Sequence, residues 1–482
     1  MSFIKKIFRF SITIVFVCIA SKASSQLISN AITPDATELD TLIKKIQVRK
    51  IFVTGNKKTK SYIISREMQI KEGDSIPVVL LKKRIDDARR FVYNTTLFNE
   101  VTVKVDTLSN DQIDITTEVK ERWYIFPLPQ FQLVDRSISD WINNHDADLE
   151  RVNYGIKFVH YNLTGRRDQL RLTALNGFSR SLSFSYTQPY SNKALTEGFS
   201  ISSGFVQTRE LAFRTSYNNK LLVFRPGGFI NKLWLLSAVY IKRQGVKNRY
   251  SLGITYSNLA VPDSIPTKYN PNFFNSTAAR QHLFDFSFAY QYVDVDNIAY
   301  PLIGDNYFAT VVKRGFGFNG GVNLLQFEAG ASKYIHLRRG WYLSLLSAAK
   351  IKLPFEQAFI NQRALGYGEV FLRGMENYVV DGVVYALAKN TLKKKIVSFK
   401  INLPIKSKTF NKIPVTIFAK TYSDIGYVYN KLQYDTYFNK RFLYTGGFGI
   451  DVLTVYDSSL KLEYSFNQLG ENGLFLRFQT GF

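Results

Sequence analysis

The sequence contains the segment Phe284-Asp-Phe286-Ser-Phe288-Ala-Tyr290-Gln-Tyr292, whose alternation predicts the type of fold. Its five aromatic residues occupy alternate positions, with small or polar residues between them. Because successive side chains of a strand point to opposite faces, one face of this strand is aromatic and the other is polar. Leu182-Ser-Phe184-Ser-Tyr186 and Leu460-Lys-Leu462-Glu-Tyr464-Ser-Phe466 repeat the arrangement. The pattern predicts a sheet with one apolar face.

Repetition of this pattern over residues 151–482 favours a transmembrane antiparallel β-barrel. A membrane strand takes about 10 residues and its connection roughly as many, which gives about 16 strands. A soluble β-sandwich would show the same alternation. The last stretch, Leu474-Phe-Leu476-Arg-Phe478-Gln-Thr-Gly-Phe482, resembles the terminal recognition signal of outer-membrane barrels, with Phe478 and the final Phe482 as its aromatic residues. We therefore predict a barrel.

The composition limits the classes of function. Aromatic residues make up 15% of the chain and the formal net charge is +25. The basic residues are spread out and form no nucleic-acid motif, so we expect contacts with lipid headgroups and lipopolysaccharide and none with nucleic acid. The four histidines lack metal-ligand spacing and the one cysteine is Cys18. We expect no catalytic residues, no metal and no cofactor, and predict that the protein is not an enzyme.

The N-terminus has the features of a secretory signal peptide at residues 1–25. Lys5, Lys6 and Arg9 precede a short apolar run, and small residues follow it. A lipoprotein signal at Cys18 is the alternative, but Val17 stands where lipidation needs a small side chain. Residues 26–44 are polar and predict a flexible lead-in.

Residues 45–121 predict a small α+β domain with the order β-α-α-β-β. A strand over Ile46–Val53 ends at the turn residues Gly55 and Asn56, and a first helix runs from Ser61 to Met68 before the break at Gly73. Pro77 is predicted to open a second helix through Val92. Two alternating strands follow. Because prolines interrupt pairing, Pro127 and Pro129 predict that residues 122–150 are a stiff connector.

Two stretches of this domain resemble a known periplasmic module. Val53-Thr-Gly55-Asn56 and Ala88-Arg-Arg-Phe-Val-Tyr-Asn94-Thr-Thr96-Leu97-Phe98 look like a POTRA domain of the BamA/TamA-type assembly and transport family. The family usually has glycine where this chain has Thr96, which removes the residue that most easily adopts a left-handed turn. We therefore expect a reshaped exit from the second helix.

The barrel region carries two further resemblances to the same family. Tyr154-Gly155-Ile156, with Asn162 and Gly165, looks like the opening strands, whose seam with the last strand is thought to admit substrate strands. Phe371-Leu372-Arg373-Gly374-Met375 resembles the signature of a loop that folds into the lumen.

The resemblance implies an acidic partner for Arg373 on the barrel wall. Asp424-Ile-Gly426 matches the family's Phe-x-Asp-x-Gly strand. It supplies a carboxylate to which a guanidinium can donate two hydrogen bonds. An exposed loop arginine and a turn-forming Asp-x-Gly are the plain alternatives. The strand before it lacks the family's glutamate, so we expect the loop to be anchored by Asp424 alone or more loosely.

The function implied by the resemblance is insertion or translocation of polypeptides at the outer membrane of a Gram-negative bacterium. The expected partners are unfolded outer-membrane or secreted polypeptides, outer-membrane lipids and accessory periplasmic proteins. A single POTRA domain suggests an accessory or specialised paralogue. The alternative is a passive outer-membrane channel or surface receptor, for which the domain at 45–121 would have no use.

Overall fold

The computed structural model describes residues 44–109, 111–134, 141–142, 146–316, 322–402, 412–431 and 435–479. The predicted signal peptide, nearly all of the lead-in and Phe482 lie outside this range. No helix in the described part is long and apolar enough to span a membrane.

The N-terminal domain has the predicted order with one strand added. Its elements are β1 (Lys45–Thr54), α1 (Ser61–Met68), β2 (Ser75–Pro77), α2 (Val78–Tyr93), β3 (Phe98–Thr107) and β4 (Gln112–Glu121). They form a four-stranded sheet in the order β2-β1-β4-β3. The second helix begins one residue later than predicted, at Val78, and Pro77 itself ends β2, opposite Lys45 of β1. An edge strand tolerates proline because one side of it needs no ladder bond.

Two compact units divide the described chain in an unexpected way. Among the described residues, the first consists of 44–52, Lys71–Ile85 and Val105–Ile115, and the second of Val53–Ile70, Asp86–Lys104 and the described part of 116–479. Within the first unit, Arg49 donates from Nε to Oδ1 of Asp114 at 2.9 Å and from Nη2 to Oδ2 at 2.5 Å. The second unit contains the large sheet together with Val53–Ile70 and Asp86–Lys104, which we call the docked segments.

The large sheet has sixteen antiparallel strands, which confirms the predicted fold class and strand number. In chain order its strands are β5 (Ile125–Leu133), β6 (Val152–Tyr161), β7 (Gln169–Gly177), β8 (Ser179–Gln188), β9 (Glu197–Thr208), β12 (Asn231–Gln244), β13 (Asn248–Ala260), β14 (Arg280–Val295), β15 (Gly304–Arg314), β16 (Leu324–His336), β17 (Trp341–Leu353), β20 (Val384–Asn402), β21 (Lys412–Tyr429), β22 (Phe442–Leu453), β23 (Ser459–Asn467) and β24 (Asn472–Gln479). Each strand pairs with its neighbours in this list, and β5 and β24 stand at the two ends of the order.

Two small hairpins lie in connections of this sheet. The first, β10 (Leu211–Thr215) with β11 (Leu221–Phe224), lies between β9 and β12. The second, β18 (Arg363–Leu365) with β19 (Val380–Asp381), lies in the long connection between β17 and β20. Asn219 of the first hairpin donates from Nδ2 to the carbonyl of Val379 at 2.8 Å, so the two connections touch.

The interpretation of residues 122–150 as a connector is wrong for Ile125–Leu133. This stretch is β5, and it pairs along its whole length with β6. Pro127 and Pro129 are compatible with pairing because β5 ends the strand order, where only one of its two sides has a neighbour. The sheet therefore begins before residue 151.

Alternation along β21 separates the two faces of the wall. Lys420, Tyr422 and Asp424 are buried on the inner face, whereas Ile425 is exposed on the outer face. On β14, Phe284, Phe286 and Phe288 are exposed, as the aromatic pattern of the sequence predicts for an outer face.

Candidate functional site

The inward-folded connection between β17 and β20, residues 354–383, forms the centre of the site, and we call it the lumen loop. Arg373 lies at its tip and is buried. Its Nε donates to Oδ2 of Asp424 at 2.9 Å and its Nη2 to Oδ1 at 2.5 Å. Its backbone N–H also donates to Oδ2 of Asp424, at 2.9 Å. The structure thus brings together the two residues that the sequence resemblance paired.

Two further residues of the barrel wall hold the guanidinium. Thr391 of β20 accepts a hydrogen bond from Arg373 Nη1 at 3.0 Å, and the ring of Tyr422 lies 4.0 Å from the guanidinium carbon. Asp424 is fully buried. A buried carboxylate is tolerated only when it is paired and its oxygens accept hydrogen bonds, and both conditions are met here.

Two glycines lie where the loop meets the wall. Gly374 has a φ of +91°, and a Cβ added there would lie 2.9 Å from the Cβ of Ser465 on β23. Gly426 faces the loop from β21, and a Cβ there would meet Leu372 at 3.1 Å and Leu365 at 3.2 Å. A side chain at Gly374 would be strained by its positive φ and would collide with Ser465, whereas one at Gly426 would require Leu372 and Leu365 to shift by a few tenths of an ångström.

Met375 belongs to an apolar cluster that packs the loop against the wall. The cluster consists of Ala364, Leu365, Leu372, Met375, Val380, Tyr385, Leu387, Val428, Phe438 and Leu443. Its members come from the lumen loop, from β20, β21 and β22, and from the connection between β21 and β22. Apolar burial therefore supports the position that the ion pair specifies.

Anchorage by Asp424 alone, which the sequence suggested, is wrong. Glu376 of the lumen loop forms an ion pair with Arg477 of β24. Arg477 also reaches Glu463 of β23 at 3.1 Å. Asn467 donates to the carbonyl of Gly374 at 3.0 Å. The loop is thus tied to the last two strands as well as to β21.

A buried ion network on the inner wall was missed at the level of sequence. Lys420 Nζ lies 2.5 Å from Asp451 and 2.6 Å from Glu463, and Tyr300 donates to Asp451 at 2.7 Å. A signal existed: Lys420 lies four positions before Asp424, so strand alternation places both on one face. Lys420, Tyr300, Lys389, Lys393 and Lys461 line a cavity of about 1110 Å³ beside Arg373.

The three residues assigned to the first strand of the seam lie elsewhere. Gly155 is in β6, which is the second strand of the order, and Asn162 and Gly165 are in the turn that follows it. Asn162 is buried and donates to Thr59 Oγ1 at 2.9 Å, and Gly165 accepts from the N–H of Lys60 at 3.0 Å. The seam assignment is therefore wrong, and the turn residues hold a docked segment instead.

Glu67 of α1 connects the first docked segment to β12. It is buried, and its two oxygens lie 2.8 and 3.3 Å from Nη1 and Nη2 of Arg243 on β12. Arg66 and Tyr190 also donate to it. Burial alone would raise the pKa of Glu67, but the charges of Arg243, Arg167 and Arg66 outweigh it and lower this pKa to about 2. The sequence offered no signal for this cluster.

Other turns of the sheet hold the second docked segment. Arg90 of α2 pairs with Asp294 at 2.7 Å, and Asn94 donates to the carbonyl of Val295 at 2.8 Å. Tyr93 donates to Asp457 at 2.9 Å, and Arg122 lies 2.7 Å from the same carboxylate. Polar and charged contacts therefore fix the end of α2 to the last residues of β14 and to the turn after β22.

The predicted turn residues of the N-terminal domain adopt turn conformations. Gly55 has a φ of +82°, and a Cβ there would lie 2.0 Å from the carbonyl oxygen of Val119. Asn56 donates to the carbonyl of Thr59 at 2.8 Å. Gly73 has a φ of +88°, and its N–H donates to the carbonyl of Val48 at 2.8 Å.

Phe478, one of the two aromatic residues of the predicted terminal barrel signal, is exposed on β24.

Comparisons with known proteins agree with this geometry. The POTRA family model, described as a surface antigen variable number repeat, matches residues 46–122. The outer membrane protein assembly factor BamA of Neorickettsia risticii (strain Illinois) is 33% identical over 79 residues, which are 16% of this chain. The chain spans about a tenth of the length of this curated relative, since 10% of it is covered.

Solved structures extend the likeness to the barrel. BamA from Haemophilus ducreyi lacking POTRA domains 1–3 superposes with a TM-score of 0.50 at 18% identity, over 90% of this chain and 84% of that one. CdiB from Escherichia coli gives 0.55 at 10% identity, over 91% and 76%. At these identities the likeness concerns the fold. The POTRA match therefore covers the N-terminal domain, and the solved structures show that the chain shares their fold.

Proposed function

We propose that this protein assists the insertion or translocation of unfolded polypeptides at the outer membrane, with its POTRA domain in the periplasm. The strand order carries the proposal: the sheet ends at β5 and β24, so two terminal strands stand where an extended chain can be admitted. Strand addition to such an edge binds a polypeptide through its backbone and so reads little of its sequence.

The lumen loop supports the same activity by linking the inside of the barrel to its last strand. Arg373 fixes the loop to β21, and Glu376 fixes it to Arg477 of β24. A client that displaced the loop would therefore disturb the terminal strand. We also propose that the outer face contacts outer-membrane lipids and lipopolysaccharide, and that accessory periplasmic proteins contact the POTRA domain.

Client insertion into liposomes tests the proposal. The purified protein would be reconstituted, a urea-unfolded outer-membrane barrel added, and its insertion followed by protease protection. Arg373→Ala removes the loop's main anchor and should slow insertion several-fold. Arg363→Ala, a change of an exposed arginine on the same loop, should leave the rate unchanged. Equal rates in wild-type, variant and empty liposomes would contradict the proposal.

A passive channel is the second candidate, and the cavity beside Arg373 favours it. Its lining has six basic residues (Arg373, Lys389, Lys393, Lys420, Lys461 and Arg477) and four acidic ones (Glu369, Glu376, Asp451 and Glu463), so a channel through it should prefer anions weakly. Steady anion-selective current in planar bilayers, together with no effect on client insertion, would support this candidate.

A further inference from the structure

The strands β20 and β21 extend past both of their neighbours in the large sheet. β17 begins at Trp341, which pairs with Lys394, and β20 continues for eight residues beyond this pair. β22 ends at Leu453, which pairs with Thr416, and β21 starts four residues before this pair. At about 3.3 Å per residue, the longer extension measures roughly 26 Å. We call this part of the two strands the projecting hairpin: residues 395–402 and 412–418.

The projecting hairpin lies at the end of the sheet that holds the docked segments. Leu453, the last residue of β22, leads into the turn whose Asp457 accepts from Tyr93 and pairs with Arg122. The lumen loop is at the other end, because it enters β20 at its first residue. In the orientation proposed above, the hairpin is therefore on the periplasmic side.

A β-bulge decides which side chains of the hairpin point outward. The register of β20 against β21 shifts at Ile396. Ile417 lies eight positions before Ile425, an outer-face residue, so strand alternation places Ile417 on the same face. Residues that pair across two strands share a face. The outer face of the hairpin thus consists of three apolar pairs: Val397 with Ile417, Phe399 with Val415, and Ile401 with Ile413. Without the extra residue of the bulge, Lys400 would point outward.

The outer face stays apolar beyond the length that a membrane strand needs. Residues 384–394 of β20 already have the length of about 10 residues with which a tilted strand crosses a bilayer. Lys394 Nζ lies 5.3 Å from the centroid of the Trp341 ring, and tryptophan is typical of the membrane–water interface. The three outer residues of β20 past this level are 41–44% exposed: Val397, Phe399 and Ile401. Because Ile417 pairs with Val452 of β22, this apolar face is continuous with the outer wall.

Basic residues flank the apolar face. Residues 337–341, 394–402 and 412–418 contain no aspartate or glutamate and six basic residues: Arg338, Arg339, Lys394, Lys395, Lys400 and Lys412. Arg338 and Arg339 are exposed in the turn between β16 and β17, and the N–H of Lys395 donates to the carbonyl of Gly340 in that turn at 2.9 Å. Apolar burial combined with positive charge attaches protein segments to anionic bilayer surfaces.

We propose that the projecting hairpin lies against the periplasmic leaflet of the outer membrane and binds anionic phospholipids there. Its apolar pairs contact the acyl chains, and Arg338, Arg339 and Lys400 contact the lipid phosphates. Lys400 is exposed on the inner side of the hairpin, and its long side chain can reach the headgroups while its stem covers apolar surface. The inference goes beyond the proposed function, because it involves no client polypeptide.

Quenching by labelled lipids tests whether the outer face contacts the bilayer. In a Cys18→Ser background the chain has no other cysteine, so one fluorophore can be attached at a chosen position. Phe399→Cys on the outer face and Ser398→Cys on the inner face form a matched pair of exposed neighbours. The labelled proteins are reconstituted in phosphatidylcholine vesicles that contain nitroxide-labelled phosphatidylcholine. We expect quenching at position 399 to be several-fold stronger than at 398. Equal or absent quenching at 399 would overturn the inference and favour an acidic protein partner.

The preference for anionic lipid is measured at position 399 with nitroxide-labelled phosphatidylglycerol or phosphatidylcholine at equal mole fractions. Each basic residue near an anionic surface contributes roughly fivefold to binding, so phosphatidylglycerol should quench more strongly. Sodium chloride at about 0.5 M should weaken this preference in the otherwise unchanged protein, because salt screens exposed charges. Equal quenching by the two lipids at low salt would overturn the inference.

A triple variant assigns the preference to the hairpin and its neighbouring turn. Arg338→Gln, Arg339→Gln and Lys400→Gln together should make the two lipids quench equally at position 399. The control removes three exposed charges at the opposite end of the sheet: Lys220→Gln, Arg225→Gln and Lys268→Gln. It should keep the preference within about twofold of the protein without these changes, since the hairpin's own charges remain. A preference that survived the first triple variant would overturn the assignment to these residues.

Discussion

Thr96 shows how a single residue can hold a conformation that its side chain disfavours. The family resemblance placed a glycine here, and its loss was expected to reshape the helix exit. The structure keeps the left-handed turn, with a φ of +63° at Thr96. The expected reshaping is therefore wrong, because neighbouring contacts hold the turn: Thr96 donates its N–H to Tyr93 at 3.0 Å, and the carbonyl of Thr95 accepts from Arg167 at 3.1 Å.

Thr96→Gly should stabilise the protein. A β-branched residue at positive φ costs about 1–3 kcal/mol, and glycine removes this strain while adding about 1 kcal/mol of unfolded-state entropy. We expect a net gain of about 1 kcal/mol in the free energy of unfolding, measured by urea denaturation of the full chain.

Thr95→Gly is the matched control, because Thr95 is buried and donates from Oγ1 to Val92 at 2.7 Å. It should destabilise the protein. Destabilisation by Thr96→Gly as well would show that the threonine side chain contributes more than its strain costs.

Charged contacts attach the helix α1 to the turns of the large sheet. Arg66 donates to the carbonyls of Leu195 and Gly245, both at 2.9 Å, while Glu67 pairs with Arg243. Because the pairs are buried, removing one partner leaves an uncompensated charge and is costly. The helix is short and has no side-chain N-cap bond, so these contacts are a large part of what holds it.

Acid should release α1 within a defined pH window. The pKa of Glu67 is lowered to about 2 in the folded state, so its contribution is complete above the unfolded value near 4.5 and is lost as pH falls toward 2. The protection factors of Ser61–Met68 against hydrogen exchange, which correct for the intrinsic rate at each pH, should therefore fall between about pH 4.5 and 2.

Glu67→Gln should remove this pH step and speed exchange of α1 at pH 7 by roughly a hundredfold, equivalent to about 3 kcal/mol. Glu100→Gln changes an exposed glutamate of β3 and should keep the wild-type profile. A Glu67→Gln profile that matched wild type would rule out Glu67 as the titrating group.

The lumen loop contacts strands that are far apart in the sequence. It leaves the sheet after β17, contacts β21 through Asp424 and reaches β24 through the pair of Glu376 with Arg477. The last strand therefore has contacts on the inner face in addition to its ladder with β23. This arrangement predicts that the stability of β24 depends on the loop.

Glu376→Gln should loosen β24 selectively. Arg477 would keep only Glu463 as an acidic partner, so amide exchange of Asn472–Gln479 should rise while exchange of β14 stays unchanged. Glu369→Gln, an exposed change on the same loop, serves as the control. Equally faster amide exchange in all strands would indicate general destabilisation and not a specific contact between the loop and β24.

Strands, helices and their apolar faces could be predicted from the sequence, because they depend on residues that are close together along the chain. Alternation in stretches such as Phe284–Tyr292 predicted the faces of the barrel wall, and helical and strand periodicities predicted the N-terminal domain. The resemblance at Arg373 and Asp424 named two residues that the structure holds in contact, because a conserved type of chemistry can be recognised from its motif. The functional role of that contact stays a prediction.

The contacts between strands and helices that are distant in sequence could not be predicted from local patterns. Pro127 and Pro129 predict a break locally, yet β5 pairs, because a terminal strand needs bonds on one side only. Glu67 and Arg243 are 176 positions apart, and no periodic pattern relates residues at that separation. Their contact depends on how the chain closes over long distances, where pairing energy and burial, rather than local preference, select the partners.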